Sequence, residues 1–552
     1  MRSEKVRVGV MLDALELYAW EGRMLERVAE SDYAELVVVA TCGDARTPRQ
    51  WIDAEGFERR SGAALGAPLA KIYRSLEAKI QCEHDAFEAH DSRALLEHMP
   101  IVVGQNTPRS TWATCTEADL QRIAGYRLDV WIRLGARDWA PETAAAAAHG
   151  VWSLHHTHCD SHGAEASAFW PVYYDWPVTE SVVRRGDGAD APVLARTYTG
   201  TNRYSVKLNQ SALYWKASAL MPRALETLYR LGSAALVPQI PPPARHRPAQ
   251  LGFPTNLQLA RYIAGNVKRR AQDLLYRKFV LDRWILMVHA GEALCTSPER
   301  FTKVLPPEDR YWADPHVLRR DNRYYVFMEE VPFTTNKGHI AVLAVDEAGR
   351  PAGEATIVLE RDYHLSYPCV FEHAGEVFMV PESSDNRTVD LYRCTDFPDK
   401  WEFVTTLLKD VAAVDTTVLY HEGRWWLFTG VAENRGASFS EELFLFHSDT
   451  LLGGRWNPHP ANPVVSDARK ARPAGAIFAQ DGALYRPAQD CSVRYGYAMT
   501  LNRITKLSAL DYGESETAAI TPTWDRKIMA THTLAYTPGL TVIDALQPRL
   551  RI

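Results

Sequence analysis

Apolar and polar positions change rhythm once along the chain. Up to about residue 235, short apolar runs alternate with stretches of helical period, the pattern of a parallel sheet covered by helices. Val6–Leu12, Glu35–Thr41, Pro100–Gly104, Val130–Leu134 and Val151–His155 read as strands, and Leu15–Ala29, Leu69–Ala86, Glu117–Gly125 and Pro141–His149 as the helices between them. No GxGxxG turn follows the first strand and no P-loop pattern occurs, which argues against a classical nicotinamide site. A Pro-rich stretch containing Pro241-Pro242-Pro243 then leads into a basic helical segment near Gln258–Lys278. Residues 236–283 thus read as a linker and bridging helix, the helix presenting a solvated basic face with membrane contact at most peripheral.

From Trp284 the texture turns to short aromatic-rich β runs broken by Gly and Asp, and these repeat. Copies begin at Asp314-Pro-His-Val, Tyr367-Pro-Cys-Val, Asp415-Thr-Thr-Val, Ala474-Gly-Ala-Ile and, more weakly, Thr531-His-Thr-Leu. The matching apolar positions Val317, Val370, Val418, Ile477 and Leu534 are 53, 48, 59 and 57 residues apart. Each copy is a strand, a tight turn and a strand, as in propeller blades, which bury their faces only against neighbours. Residues 284–552 therefore predict an all-β five-bladed propeller, and residues 1–235 an α/β domain.

Equivalent positions in a propeller converge on its axis. Asp314 and Asp415 share a column, while Glu382 closes the second hairpin as Glu329 and Glu330 close the first. Carboxylates from separate blades facing one cavity suit glycosyl cleavage or transfer, where one activates, one protonates the leaving oxygen and one tunes them. Acids at strand starts also cap turns, and the repeats alone do not choose between these roles.

Composition narrows the field. A net charge of −6 on a chain 46% hydrophobic and 24% charged excludes disorder and a nucleic-acid binder working by bulk charge. Eight cysteines without a CxxC pair give neither a zinc ribbon nor a disulfide framework, and the N-terminus reads as a first strand rather than a secretory signal, so a cytoplasmic location is expected. The 16 Trp and 24 Tyr would suit carbohydrate, although Trp is often core in β-rich domains.

Trp312-Ala-Asp-Pro-His316, His364-Leu-Ser-Tyr-Pro368, Val380-Pro-Glu-Ser383, Asp415-Thr-Thr417 and Ala471-Arg-Pro-Ala-Gly475, with Tyr485-Arg-Pro487 and Gln489-Asp490, resemble the five-bladed propeller of the glycoside hydrolase family 43 and levansucrase group. Within that group the segment is similar to the N-terminal domain of plant glucosamine inositolphosphorylceramide transferases. The resemblance implies Asp314 as base or nucleophile, Glu382 as acid and Asp415 as pKa modulator, with Glu330, His364, Arg472 and His532 as substrate-binding candidates.

Asp129-Val-Trp-Ile-Arg-Leu-Gly135, Pro141 and His149-Gly-Val-Trp-Ser-Leu-His155 resemble the formyltransferase fold, Rossmann-like in its parallel sheet. That resemblance implies His155 as catalytic and Ser153, His156 and Asp190 as substrate-binding, with N10-formyltetrahydrofolate as the cofactor. Ser153 stands where the family has Asn, the donor to the developing oxyanion, and Asp190 lies one residue from the expected acid. His155, His156, His158, Cys159 and Asp160 also invite a metal reading, but successive strand residues alternate faces, so no metal ligand is assigned. The expected function is group transfer, glycosyl above all, on a sugar, nucleotide-sugar or glycoconjugate. The alternatives are a folate-dependent sugar N-formyltransferase and a non-catalytic glycan-binding protein.

Overall fold

The structure, a computed structural model, describes residues 4–42, 67–106, 112–135, 138–156, 164–186, 191–237, 254–434 and 436–551. The chain forms two compact units, Met1–Ala271 with Asn434–Ala437, and Gln272–Glu433 with Ser438–Ile552. The division falls inside one helix, Asn256–Phe279.

The first unit is built on a nine-stranded sheet. In chain order its strands are β1 (Val6–Leu12), β2 (Ala34–Cys42), β3 (Ile101–Asn106), β4 (Trp112–Thr114), β5 (Val130–Arg133), β6 (Asp138–Trp139), β7 (Val151–His156), β8 (Val178–Arg185) and β9 (Val193–Gly200). They stand in the order β9-β8-β7-β5-β1-β2-β3-β4-β6. The run β7-β5-β1-β2-β3 is parallel throughout. The edges differ from the all-parallel expectation: β8 runs antiparallel to β7 and β9, and β4 antiparallel to β3. A short link between β8 and β9 leaves no room for the crossover that a parallel pair requires.

β1 is apolar at nearly every position because both of its faces are covered. Val6 and Val8 join one buried cluster and Met11 another. Gly9 is needed where it stands, since a Cβ there would meet the Trp131 ring at 2.3 Å. Three helices are shorter than the periodicity predicts. The first starts at Ala19 rather than Leu15, because Leu17–Tyr18 pairs with Ala89–His90 and the Glu21 carboxylate accepts the Tyr18 N–H at 2.9 Å. The second ends at Ala78, beyond which Asp85 turns the chain by accepting the Phe87 N–H at 3.0 Å. The helix from Pro141 ends at Ala144, and Ala148 and His149 instead donate to the carbonyls of Leu128 and Asp129.

The second unit is a five-bladed propeller of four-stranded antiparallel sheets. Blades I to IV begin with the strands Arg310–Arg320, Ser366–His373, Ala413–His421 and Phe478–Gln480. Blade V closes the ring: Leu534–Thr537 pairs with Gly539–Leu546, which pairs with Trp284–Gly291 from the beginning of the unit, and Thr302–Val304 adds the outer strand. Clusters between sheets, such as Leu286, Trp312, Val326 and Val542, form the core. Each blade thus buries its faces against its neighbours.

Candidate active site at the propeller axis

The first strands of blades I, II and III carry the same irregularity. Their registers shift between Ala313 and His316, Ser366 and Cys369, and Val414 and Thr417. Within those bulges Asp314, Tyr367 and Asp415 have φ of 52°, 41° and 50°, the left-handed region that non-glycine residues enter at a cost of about 1–3 kcal/mol. In two blades a carboxylate of the preceding blade holds the strained residue. Asp314 N–H donates to Asp544 Oδ2 at 3.2 Å, and Asp415 N–H donates to Glu382 Oε2 at 3.0 Å. In blade II the Tyr367 hydroxyl bonds Thr417 Oγ1 at 2.8 Å and accepts the Gly475 N–H at 2.6 Å. Axis residues from successive blades are thereby pinned to one another.

Around Asp314, Thr533 Oγ1 donates to Oδ1 at 2.9 Å and His532 Nε2 lies 3.3 Å from the same oxygen. The other imidazole nitrogen is 2.6 Å from Asp544 Oδ2, and Asp544 Oδ1 also accepts the backbone N–H groups of His532 and Thr533. All three side chains are buried. Burial lifts the Asp314 carboxyl to about 7, with His532 opposing and Glu329 and Asp544 adding to the rise. Burial works against a charged His532, but the carboxylates of Asp544 and Asp314 outweigh it and hold the imidazole near 9. Among the described residues Asp314, His532 and Asp544 are also the one set whose ligand atoms lie close enough to share a metal ion.

Around Asp415, Arg472 donates twice, from Nε at 2.6 Å and Nη2 at 3.2 Å, and Gln489 Nε2 donates at 2.7 Å. Burial raises the Asp415 carboxyl well above the usual range, with Arg472 pulling the other way. The guanidinium also lies 3.6 Å from Glu382 and over the Tyr495 ring at 5.0 Å. Glu382 joins this buried network to open space. Ser384 Oγ donates to its Oε1 at 3.0 Å, and with His364, Lys337, Asp362 and Asp385 it lines a cavity of about 520 Å³.

The structure brings Asp314, Glu382, Asp415, His364, Arg472 and His532 into this one region. Glu330 is committed elsewhere: Arg310 and Trp312 donate to it at 2.8 Å and His339 lies at 3.0 Å. Burial opposes these donors, yet together they hold the Glu330 carboxyl below the usual range. Its neighbour Glu329 points the other way and bonds His364 Nε2 at 2.8 Å, which raises that histidine. The Gly338 N–H donates to His364 Nδ1 at 3.0 Å. Asp544 and Tyr495 escape the sequence reading, while Glu329, Gln489 and Thr533 stand in its motifs without a role of their own. Strand alternation could have flagged Glu329 over Glu330; Asp544 lies on the second strand of the weak fifth copy, where the first three copies carry the apolar Phe327, Val380 and Phe428.

In the α/β unit, β7 places Ser153 and His155 on one face, Oγ to Nε2 at 2.8 Å. His156 points to the other face, against the Tyr214 ring at 4.2 Å and with Nδ1 2.8 Å from Ser181 Oγ. Asp190, with His158, Cys159 and Asp160, lies outside the described residues.

A family model described as "Glucosamine inositolphosphorylceramide transferase 1, N-terminal" matches residues 297–530. Glucosamine inositolphosphorylceramide transferase 1 of Arabidopsis thaliana is 35% identical over 208 residues, and that of Oryza sativa subsp. japonica 34% over 204. Each match covers 37% of this chain and 27% of the relative, so the chain spans about a quarter of the length of the curated relatives it matches. Among solved structures, a family 117 glycoside hydrolase of Zobellia galactanivorans matches at TM-score 0.32 and 10% identity, covering 48% of this chain and 91% of that one. The catalytic domain of a Coprinopsis cinerea family 62 α-L-arabinofuranosidase matches at TM-score 0.34 and 14% identity, covering 44% and 94%. The segment matched by the transferase family model is similar to the N-terminal part of those enzymes and runs from the closing blade through blade IV.

Proposed function

We propose that this chain is a sugar transferase of glycoconjugate synthesis, taking a glycosyl unit at the propeller axis. The observation that carries the reading is the position of Glu382, which bonds the Asp415 backbone on one side and lines the cavity beside His364 on the other. In this reading Glu382 is the acid that protonates a leaving oxygen. Asp314, its carboxyl held near 7, is the base that takes a proton from an acceptor hydroxyl close to neutral pH. Asp415, gripped by Arg472 and Gln489, is not a nucleophile but sets the field that Glu382 feels. The names of the matched relatives support sugar transfer as the class of reaction.

The test is a thermal-shift screen of the full chain against free sugars, nucleotide sugars and glycolipids, followed by a transfer assay with the ligand found. Glu382→Gln and Asp314→Asn should each lower turnover by about 100-fold or more while the ligand still binds. A ligand that binds with no turnover in the parent chain would leave a glycan-binding module instead.

A second reading, formyl transfer from N10-formyltetrahydrofolate, rests on the Ser153–His155 contact on β7. It requires a folate-induced thermal shift that His155→Ala abolishes; absence of any shift with the parent chain rejects it.

A further inference from the structure

We propose that the second unit carries a membrane-docking face, formed by the last two turns of the Asn256–Phe279 helix and the strand pair that follows it, and that its partner is an anionic lipid surface. Leu274, Leu275 and Phe279 are 69%, 57% and 51% exposed, far from the burial expected of large apolar side chains on a folded unit. Leu274 with Lys278, and Leu275 with Phe279, form two adjacent i,i+4 rows on one side of the helix. The next strand pairs Val280 with Leu550 and Leu281 with Arg549, while the Arg551 N–H donates to the Phe279 carbonyl at 2.9 Å. This pairing sets Leu550, itself 70% exposed, beside the helix end. Four large apolar side chains therefore share one exposed region.

Charge identifies the occupant. Residues 272–283 and 549–551 hold Arg277, Lys278, Arg283, Arg549 and Arg551 against two acids, Asp273, which Arg277 pairs at 3.0 Å, and Asp282, which lies 3.6 Å from Arg494. The whole chain is net −6, so this excess of positive charge is local. A second copy of the chain would set the same cations against themselves. An anionic bilayer instead takes the apolar side chains at the headgroup boundary and the flanking cations at its phosphates, with long Lys and Arg stems reaching outward. No described helix is long and apolar enough to cross a membrane, and the docking proposed is onto the surface. The proposal stands apart from the axial site and survives if that reading fails.

The experiment sediments the full chain with vesicles of phosphatidylcholine, alone or with about 30 mol% phosphatidylserine. Binding is expected only to the anionic vesicles. Leu274→Glu with Leu275→Glu should weaken it by about tenfold or more, and Arg277→Gln and Lys278→Gln by about fivefold each. Because these side chains are exposed, the thermal melting of each variant should match the parent, which separates lost docking from lost fold. Failure of the parent chain to bind, equal binding to neutral vesicles, or undiminished binding of the double Glu variant overturns the proposal.

Discussion

The α/β unit buries His156 and the propeller axis buries His532 to nearly the same depth, yet their surroundings drive the two imidazoles apart. His156 sits between the Tyr214 ring and the Ser181 hydroxyl, and burial, helped by neighbouring His155, pushes it down to about 3. His532 feels the same penalty but has Asp544 and Asp314 at its two nitrogens, and rises to about 9. Desolvation by itself makes a neutral core residue; desolvation with carboxylates makes a held charge. The difference lies in what reaches the ring from distant parts of the chain.

The largest effect should come from breaking a held charge. Arg472→Ala leaves the buried Asp415 carboxyl facing Glu382 without its guanidinium, which should cost about 3–5 kcal/mol in urea unfolding monitored on the propeller. Adding Asp415→Asn to that variant should restore part of the loss, because the uncompensated group is then neutral. If the single variant is near neutral, the axial charges are not mutually dependent and the contrast with the α/β unit collapses.

The next test reads the two histidines against each other across pH. His532 has a folded pKa above its unfolded value of about 6.5, so its stabilising contribution is complete below 6.5 and is lost as pH rises through about 9. That limb amounts to roughly 3 kcal/mol and should vanish in His532→Gln. Asp314, raised from 3.8 to about 7, adds a fall in the same direction between those values. His156 runs oppositely: with a depressed folded pKa its contribution is present above 6.5 and is lost as pH falls toward about 3. Imidazole NMR titration of the folded chain should show one ring titrating near 9 and another silent until the acid limb. Two rings titrating together near 6.5 would remove the distinction.

The same contrast explains what could be read from the sequence. Blade number and the axial column were legible because each blade repeats one strand-turn-strand pattern, and Asp314 and Asp415 recur at its start. Asp544 was not, because it stands on the second strand of the weakest copy at a position that is apolar in the first three, Phe327, Val380 and Phe428, and the pairing of Trp284–Gly291 with Gly539–Leu546 that completes blade V leaves no local signal. Glu329 and Glu330 are adjacent, and only the strand register decides which faces His364. No glycine marks the left-handed bulges at Asp314, Tyr367 and Asp415, which are held by contacts from other blades. In the α/β unit the parallel centre followed from the alternation of elements, whereas the antiparallel edges depend on link lengths that hydrophobic period does not encode.

The smallest effect tests the neutral side of the comparison. Ser181 is the hydrogen-bond partner of His156 Nδ1, and Nε2 has none among the described residues. Ser181→Ala therefore leaves a buried ring with neither nitrogen paired among the described residues, at a cost of about 1 kcal/mol in the unfolding of the α/β unit. The alkaline limb of the propeller should not move, since none of its groups touches Ser181. A loss of that size confirms that His156 lives on a single neutral hydrogen bond. An unchanged midpoint would mean the ring finds another partner, and burial alone would then no longer account for its depressed pKa.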